Sequence, residues 1–137
     1  PSKRPAKSLP LFNLSWRDLL LPLLRARIAC IWSILAELVA EVTVLRADYH
    51  AFKLKVSLTD GSTLRINEQY YHNGLEQYAY YWLNEDNTLV IGWDNAPHHS
   101  HLPNFPHHKH VGSQDDIQSS EETTPEEILA VIRDRLS

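Results

Sequence analysis

Hydrophobic spacing divides the chain into a helical beginning, a strand-rich middle and a helical end. Ser15 is placed to cap a helix, with Asp18 at the capping-box position. Trp16, Leu19, Leu20, Leu23 and Leu24 follow at helical spacing, and Pro22 is expected to kink this stretch or end it. A second helical run, from Leu24 to about Leu38, puts Ile28, Ile31, Trp32, Leu35 and Leu38 on one face. From Val39 the period changes to two. Val42 and Val44 begin a strand reaching about Tyr49. Phe52, Leu54, Val56 and Leu58 alternate with Lys53, Lys55 and Ser57, as in a half-buried strand. Asp60-Gly61 and Asn73-Gly74 read as hairpin turns. They flank a strand containing Leu64 and Ile66 that runs on toward Tyr71. Gln77–Leu83 and Thr88–Trp93 are the next two strands, separated by a polar turn at Asn84–Asn87.

After Val111 the polar, acidic run GSQDDIQSSEETT reads as a solvated linker. Thr124, Pro125 and Glu127 then supply a cap, a first-turn proline and a capping-box glutamate. Ile128, Leu129, Ile132 and Leu136 give the helix that follows an apolar side. The expected fold is therefore α+β: an antiparallel meander of about five strands, covered by N-terminal helices and a short C-terminal helix. Parallel pairing would need long crossovers that the short turns do not provide. Residues 1–14 read as a flexible basic arm. Residues 15–137 read as a single domain with a histidine-rich loop at 94–111.

Composition narrows the function classes. The chain has 137 residues, 43% of them hydrophobic, enough for one core. The formal net charge of −4 turns positive if all eight histidines titrate, and it predicts no bulk affinity for nucleic acid. Cys30, the single cysteine, fits a reducing cytoplasm. Leu19–Val39 is the most apolar region, but Pro22, Arg25, Arg27 and Glu37 interrupt it, so no membrane span is expected. No signal-peptide cleavage pattern adjoins the basic start.

The segment Pro97–Val111, PHHSHLPNFPHHKHV, changes the picture most. It holds six of the eight histidines in two copies of one pattern: His98, His99 and His101, then His107, His108 and His110. Pro97, Pro103 and Pro106 exclude a regular helix, leaving extended chain and turns. Imidazole titrates near physiological pH, so such a segment is a candidate for acid–base chemistry, metal ligation or both. On extended chain, residues two apart point the same way. His99 with His101, and His108 with His110, could each give two ligands to zinc, nickel, copper or manganese, with Asp94 ligating or orienting. Without metal, RNA cleavage by its own 2′-hydroxyl needs a base, an acid and a nearby cation. His99 or His101 with His108 or His110 could serve as the pair, Lys109 or Arg65 as the cation, and Glu68 as a base or an orienting group. The plainer alternative is that the histidines only pin the loop to the sheet. His50 and His72 read as ordinary strand-end or turn residues.

Tyr78, Tyr80 and Trp82 share one strand face, and Tyr81 and Leu83 the other. Tyr78 and Tyr80 could stack unpaired bases, although such aromatics more often supply core area. Arg65, Lys53 and Lys55 add positive charge to the same sheet, but strand lysines are ordinarily just solvent-facing. No glycine-rich phosphate loop supports nucleotide-dependent group transfer.

The string WDNAPHHSHLPNFPHHKHVG at Trp93–Gly112, with its paired HHxH, resembles the hallmark of the TumE family of prokaryotic toxin–antitoxin toxins. LTDGSTLRINEQYY and YAYYW resemble that family's middle region, in which a strand bearing a glutamate (Glu68) leads into a Tyr-x-Tyr strand (Tyr78, Tyr80). The resemblance covers about Glu41–Leu136 and leaves Leu11–Leu24 outside it. It implies a small cytoplasmic toxin paired with an antitoxin, often a helix-turn-helix DNA-binding protein. Together with the residues, it leads us to expect a ribonuclease acting on RNA. The expected catalytic residues are His98, His99, His101, His107, His108, His110, Glu68 and Asp94. His99 and His108 are the expected proton-transfer pair, with Lys109, Arg65, Tyr78 and Tyr80 contacting RNA. A homodimer is a further expectation. The alternative is a non-enzymatic metal-binding or protein-interaction module.

Overall fold

A computed structural model describes residues 16–72 and 74–137. The basic arm, the cap at Ser15 and the turn residue Asn73 lie outside the described residues. Helix α1 (Trp16–Leu35) runs through a short 3-10 turn into seven strands: β1 (Val39–Ala47), β2 (Ala51–Leu58), β3 (Thr63–Tyr71), β4 (Gly74–Leu83), β5 (Leu89–Asp94), β6 (His108–Val111) and β7 (Ile117–Ser119). Helix α2 (Pro125–Leu136) closes the chain. The strands pair in sequence order and every pairing is antiparallel.

Period-two alternation decides what each sheet face does. Phe52, Leu54 and Val56 of β2, Leu64 and Ile66 of β3, Tyr80 and Trp82 of β4, and Ile91 and Trp93 of β5 are buried. They form one cluster with Leu24, Ile31 and Leu35 of α1 and Ile128, Leu129 and Ile132 of α2. The helices thus cover one face of the sheet. Burial of the Trp82 indole is made tolerable by its N–H donating to Ser62 Oγ (3.0 Å). The opposite face carries Lys53, Lys55, Arg65, Asn67, Ala79, Tyr81 and Asp94, and among the described residues no helix lies over it.

The turns follow the sequence. Gly61 has φ +91°, where glycine avoids a Cβ clash, and Asp60 accepts from the Ser62 amide (2.9 Å). Thr124 caps α2 by accepting from the Glu127 amide (3.2 Å), with Pro125 in the first turn.

Four expectations need correction. The sheet has seven strands rather than about five. The end of the histidine segment is strand β6, because hydrogen bonding to β5 completes extended chain that has no apolar alternation of its own. The acidic linker contains β7, which pairs with β6. Pro22 lies inside a single helix rather than ending it, so one helix and a 3-10 turn stand where two helical runs were expected.

Candidate active site: Asp94, His108 and His110

Asp94 is the last residue of β5 and lies opposite His108 of β6; two residues back, Gly92 lies opposite His110. Register partners share a face, so Asp94, His108 and His110 gather on the uncovered side of the sheet. His108 Nε2 is 2.9 Å from Asp94 Oδ1, and His110 Nε2 is 3.3 Å from Asp94 Oδ2. All three residues are buried, and one ligand atom from each lies within 4.8 Å of the others.

The second ring nitrogens fix the tautomers. His108 Nδ1 donates to the Pro106 carbonyl (3.0 Å) and His110 Nδ1 to the Gln114 carbonyl (2.9 Å). A carbonyl only accepts, so each Nδ1 must carry a proton. Nε2 of each ring is thus left as the free ligand atom beside the Asp94 carboxylate, at 2.9 and 3.3 Å. A cation seated among these nitrogens and oxygens would satisfy the set, as in metal-binding histidines, which hand their other N–H to a carbonyl or carboxylate. Two histidines and one carboxylate form a recurrent three-ligand set for divalent transition metals.

Asp94 is itself held in place. The Ala96 amide donates to Oδ1 (3.0 Å) and the Tyr81 hydroxyl to Oδ2 (3.0 Å). Burial, and then the Asp94 charge, push the Tyr81 phenol up to about 12, so it stays a proton donor at neutral pH. The Tyr81 ring lies against Gly92 and stacks on His110 (28° between planes).

The first histidine triplet reaches the same place through loop 95–107. His99 stands edge-on to His108, with ring centroids 4.8 Å apart, and is 6.4 Å from His110. The His99 imidazole is held below its ordinary range by desolvation and by the neighbouring His108 and His110. The loop is pinned to the end of β7 and the residue after it: Asn104 Nδ2 donates to the Ser120 carbonyl (3.0 Å) and Ser119 Oγ to the Pro103 carbonyl (2.6 Å). Asp94, His98, His99, His108, His110 and Asn67 are among the walls of an open cleft of about 360 Å³.

The remaining sequence candidates lie elsewhere. His101 is exposed, 6.2 Å from His99 between ring centroids, and is not on the cleft wall. Strand parity turns His107 and Lys109 to the helix-covered side. There Tyr78 Oη is 2.8 Å from His107 Nδ1, and Lys109 Nζ is 3.5 Å from Glu122 Oε1. Tyr78 and Tyr80 are 4% and 0% exposed, which leaves no ring face for a base. Glu68 is fully buried on that same side. It accepts from the Tyr70 and Tyr80 hydroxyls and pairs with Arg27 of α1 (2.8 Å). The sheet itself separates Glu68 from the imidazole cluster. Arg65 stays on the open face, and His50 and His72 lie in turns.

Sequence reasoning missed Tyr81, Gly92 and Arg27. For Tyr81 a signal existed: its parity is opposite to Tyr80 and the same as Ala79. It had no visible target until β6 was known to pair with β5.

A seven-stranded antiparallel meander with two helices on one face and a His-Asp cleft on the other defines a small α+β protein built around one open site. The family model described as Toxin TumE matches residues 33–137, and the chain belongs to that family of toxins. No curated protein and no solved structure matches the chain. Among the described residues, no helix is long and apolar enough to cross a membrane.

Proposed function

We propose that this chain is the toxin of a toxin–antitoxin pair, and that it cleaves RNA at a divalent metal site formed by Asp94, His108 and His110. One observation carries the reading: both histidines spend Nδ1–H on backbone carbonyls and bring Nε2 within 3.3 Å of one carboxylate. Zinc, nickel or manganese would suit the set, and a bound ion would polarise a phosphoryl oxygen. The toxin family supports a protein antitoxin as partner.

The chain's own residues supply the rest. Attack by a 2′-hydroxyl forms the O2′–P bond and breaks the P–O5′ bond, leaving a 2′,3′-cyclic phosphate and a 5′-hydroxyl. The ring nitrogens of His99 make no hydrogen bond among the described residues, and its lowered proton affinity keeps it neutral near pH 7. His99 takes the proton from O2′. His98, the other loop histidine on the cleft wall, supplies one to O5′. His108, the expected partner of His99, has both nitrogens engaged and acts as a ligand.

The test is metal analysis of untagged protein together with RNA cleavage before and after chelation. About one ion per chain is expected, lost in His108→Ala and His110→Ala, with cleavage falling in step. His99→Ala is expected to keep the ion and lose cleavage. Stoichiometric metal with no turnover of any RNA overturns the nuclease reading in favour of a metal-binding interaction module. Cleavage indifferent to chelation overturns the metal.

A further inference from the structure

The strand register extends the site into a surface. On the uncovered face, one unbroken row of paired residues runs His108, Asp94, Ala79, Asn67, Lys53, Arg46 from β6 to β1. The adjacent row runs His110, Gly92, Tyr81, Arg65, Lys55, Thr43. Each row begins at a site histidine and reaches a cation. Neighbouring strands lie about 4.8 Å apart, so the Arg65 backbone is about 10 Å from Gly92 and that of Lys53 about 14 Å from Asp94.

Two clefts adjoin above these rows. A second cleft of about 350 Å³, walled by Leu45, Lys53, Arg65, Asn67, Ala79 and Tyr81, shares Asn67, Ala79 and Tyr81 with the site cleft. Lys53 and Arg65 are exposed, and neither they nor Lys55 is in an ion pair among the described residues. The residues between these cations and Asp94 are Asn67, Ala79 and Tyr81, so no carboxylate intervenes in either row. In a chain with a net charge of −4, two unpaired cations on the wall of the cleft that adjoins the site, with Lys55 beside Arg65 in the same row, are an ordered arrangement.

We infer that the trough made by the two adjoining clefts binds single-stranded RNA, with Arg65, Lys53 and Lys55 contacting phosphates beside the linkage held at Asp94, His108 and His110. Single-stranded rather than duplex RNA fits because the trough is one sheet face with a half-buried floor, on which a lone strand can lie flat. Electrostatic contact with phosphates is independent of sequence and falls with salt in proportion to the number of contacts. The inference rests on the RNA-cleaving reading for its chemistry, but binding is measured separately from cleavage.

The experiment uses the full chain and its Lys53→Gln/Arg65→Gln variant. Binding of a fluorescent 2′-O-methyl hexauridylate, which lacks the attacking hydroxyl, is followed by anisotropy at several salt concentrations. Cleavage of dinucleotide and hexanucleotide RNA is followed in parallel. The double variant is expected to bind at least tenfold more weakly. The slope of log affinity against log salt should become shallower by about 1.4, the value for two lost contacts to a single strand. The fall in KM from dinucleotide to hexanucleotide should also shrink in the variant. Both positions are solvent-exposed, and the single substitutions give the same readout should the double variant melt early. Equal affinity and slope in variant and wild type overturn the inference, as does failure of the wild type to bind the oligonucleotide. Track-dependent binding without cleavage leaves the surface standing and removes the nuclease. Cleavage with unaltered binding does the reverse.

Discussion

Gly92 carries no side chain because Tyr81 lies where one would be: a Cβ at this position would sit 2.3 Å from the Tyr81 ring. The need here is for space rather than for an unusual φ. The ring fills that space so that its hydroxyl reaches Asp94 and its face meets His110. Gly92→Ala is therefore expected to push Tyr81 aside and free one carboxylate oxygen of its orienting donor. Loss of an orienting partner typically lowers metal affinity about 10–100-fold. Zinc titration by calorimetry should show a loss of that size in Gly92→Ala and a similar one in Tyr81→Phe. Unaltered affinity in both would mean that the tyrosine is only packing. Of this, only the strand parity of Tyr81 was legible from one sequence. A glycine in a strand signals a close approach by something, but the approaching ring sits 11 positions earlier on the neighbouring strand. The histidines themselves were legible, since their clustering and their His-x-His spacing are local facts. Which of them share a face with Asp94 was not, because that depends on the register of a strand the hydrophobic pattern does not mark.

At the scale of elements, the contrast between α2 and β6 shows what pattern reading can reach. Helix α2 is announced by local chemistry. Thr124 accepts from the Glu127 amide, Glu127 Oε1 accepts from the Thr124 hydroxyl (3.0 Å), and a proline sits between them in sequence. Strand β6 is His-Lys-His-Val, with imidazoles where an amphipathic strand would alternate apolar and polar residues, so only its partner defines it. The α2 cap makes a pH-dependent prediction. Hydrogen bonds from Thr124, followed by backbone N–H groups, hold the Glu127 carboxyl below the usual glutamate range. The folded state thus binds that proton less readily than the unfolded chain. Its stabilisation is complete above the ordinary glutamate range and is lost as pH falls through the lower folded value. Thr124→Ala, which removes the cap, is expected to destabilise the protein by about 1 kcal/mol near neutrality. That gap should narrow as the pH falls through the lower folded value, below which Glu127 is protonated in both states. Thermal melts of both proteins across this range check it, and a gap independent of pH would assign the loss to the cap hydroxyl alone.

For the whole molecule, the sheet has one face committed to core and the other to the site, so whatever holds the core face also holds the site. Part of that core comes from before residue 33, where the family match begins. Leu24 and Ile31 are 5% and 0% exposed, and each contributes about 1.5–3 kcal/mol by burial. Arg27 is the only cation paired with the fully buried Glu68 among the described residues. Removing one partner of such a pair costs about 3–5 kcal/mol, because the other charge stays buried and uncompensated. Together these losses are comparable to the stability of about 5–15 kcal/mol typical of a whole domain. A chain starting at Ser33 is therefore expected to lose its cooperative melt, although it keeps every strand and all of Asp94, His108 and His110. Arg27→Met in the full chain isolates the charge effect. It should lower the melting midpoint sharply, and Arg27→Met with Glu68→Gln should recover part of the loss, since the neutral amide can stay buried against the Tyr70 and Tyr80 hydroxyls. A cooperative melt of the shortened chain at the full-length midpoint would show that α1 is dispensable, and that Glu68 finds its counter-charge elsewhere.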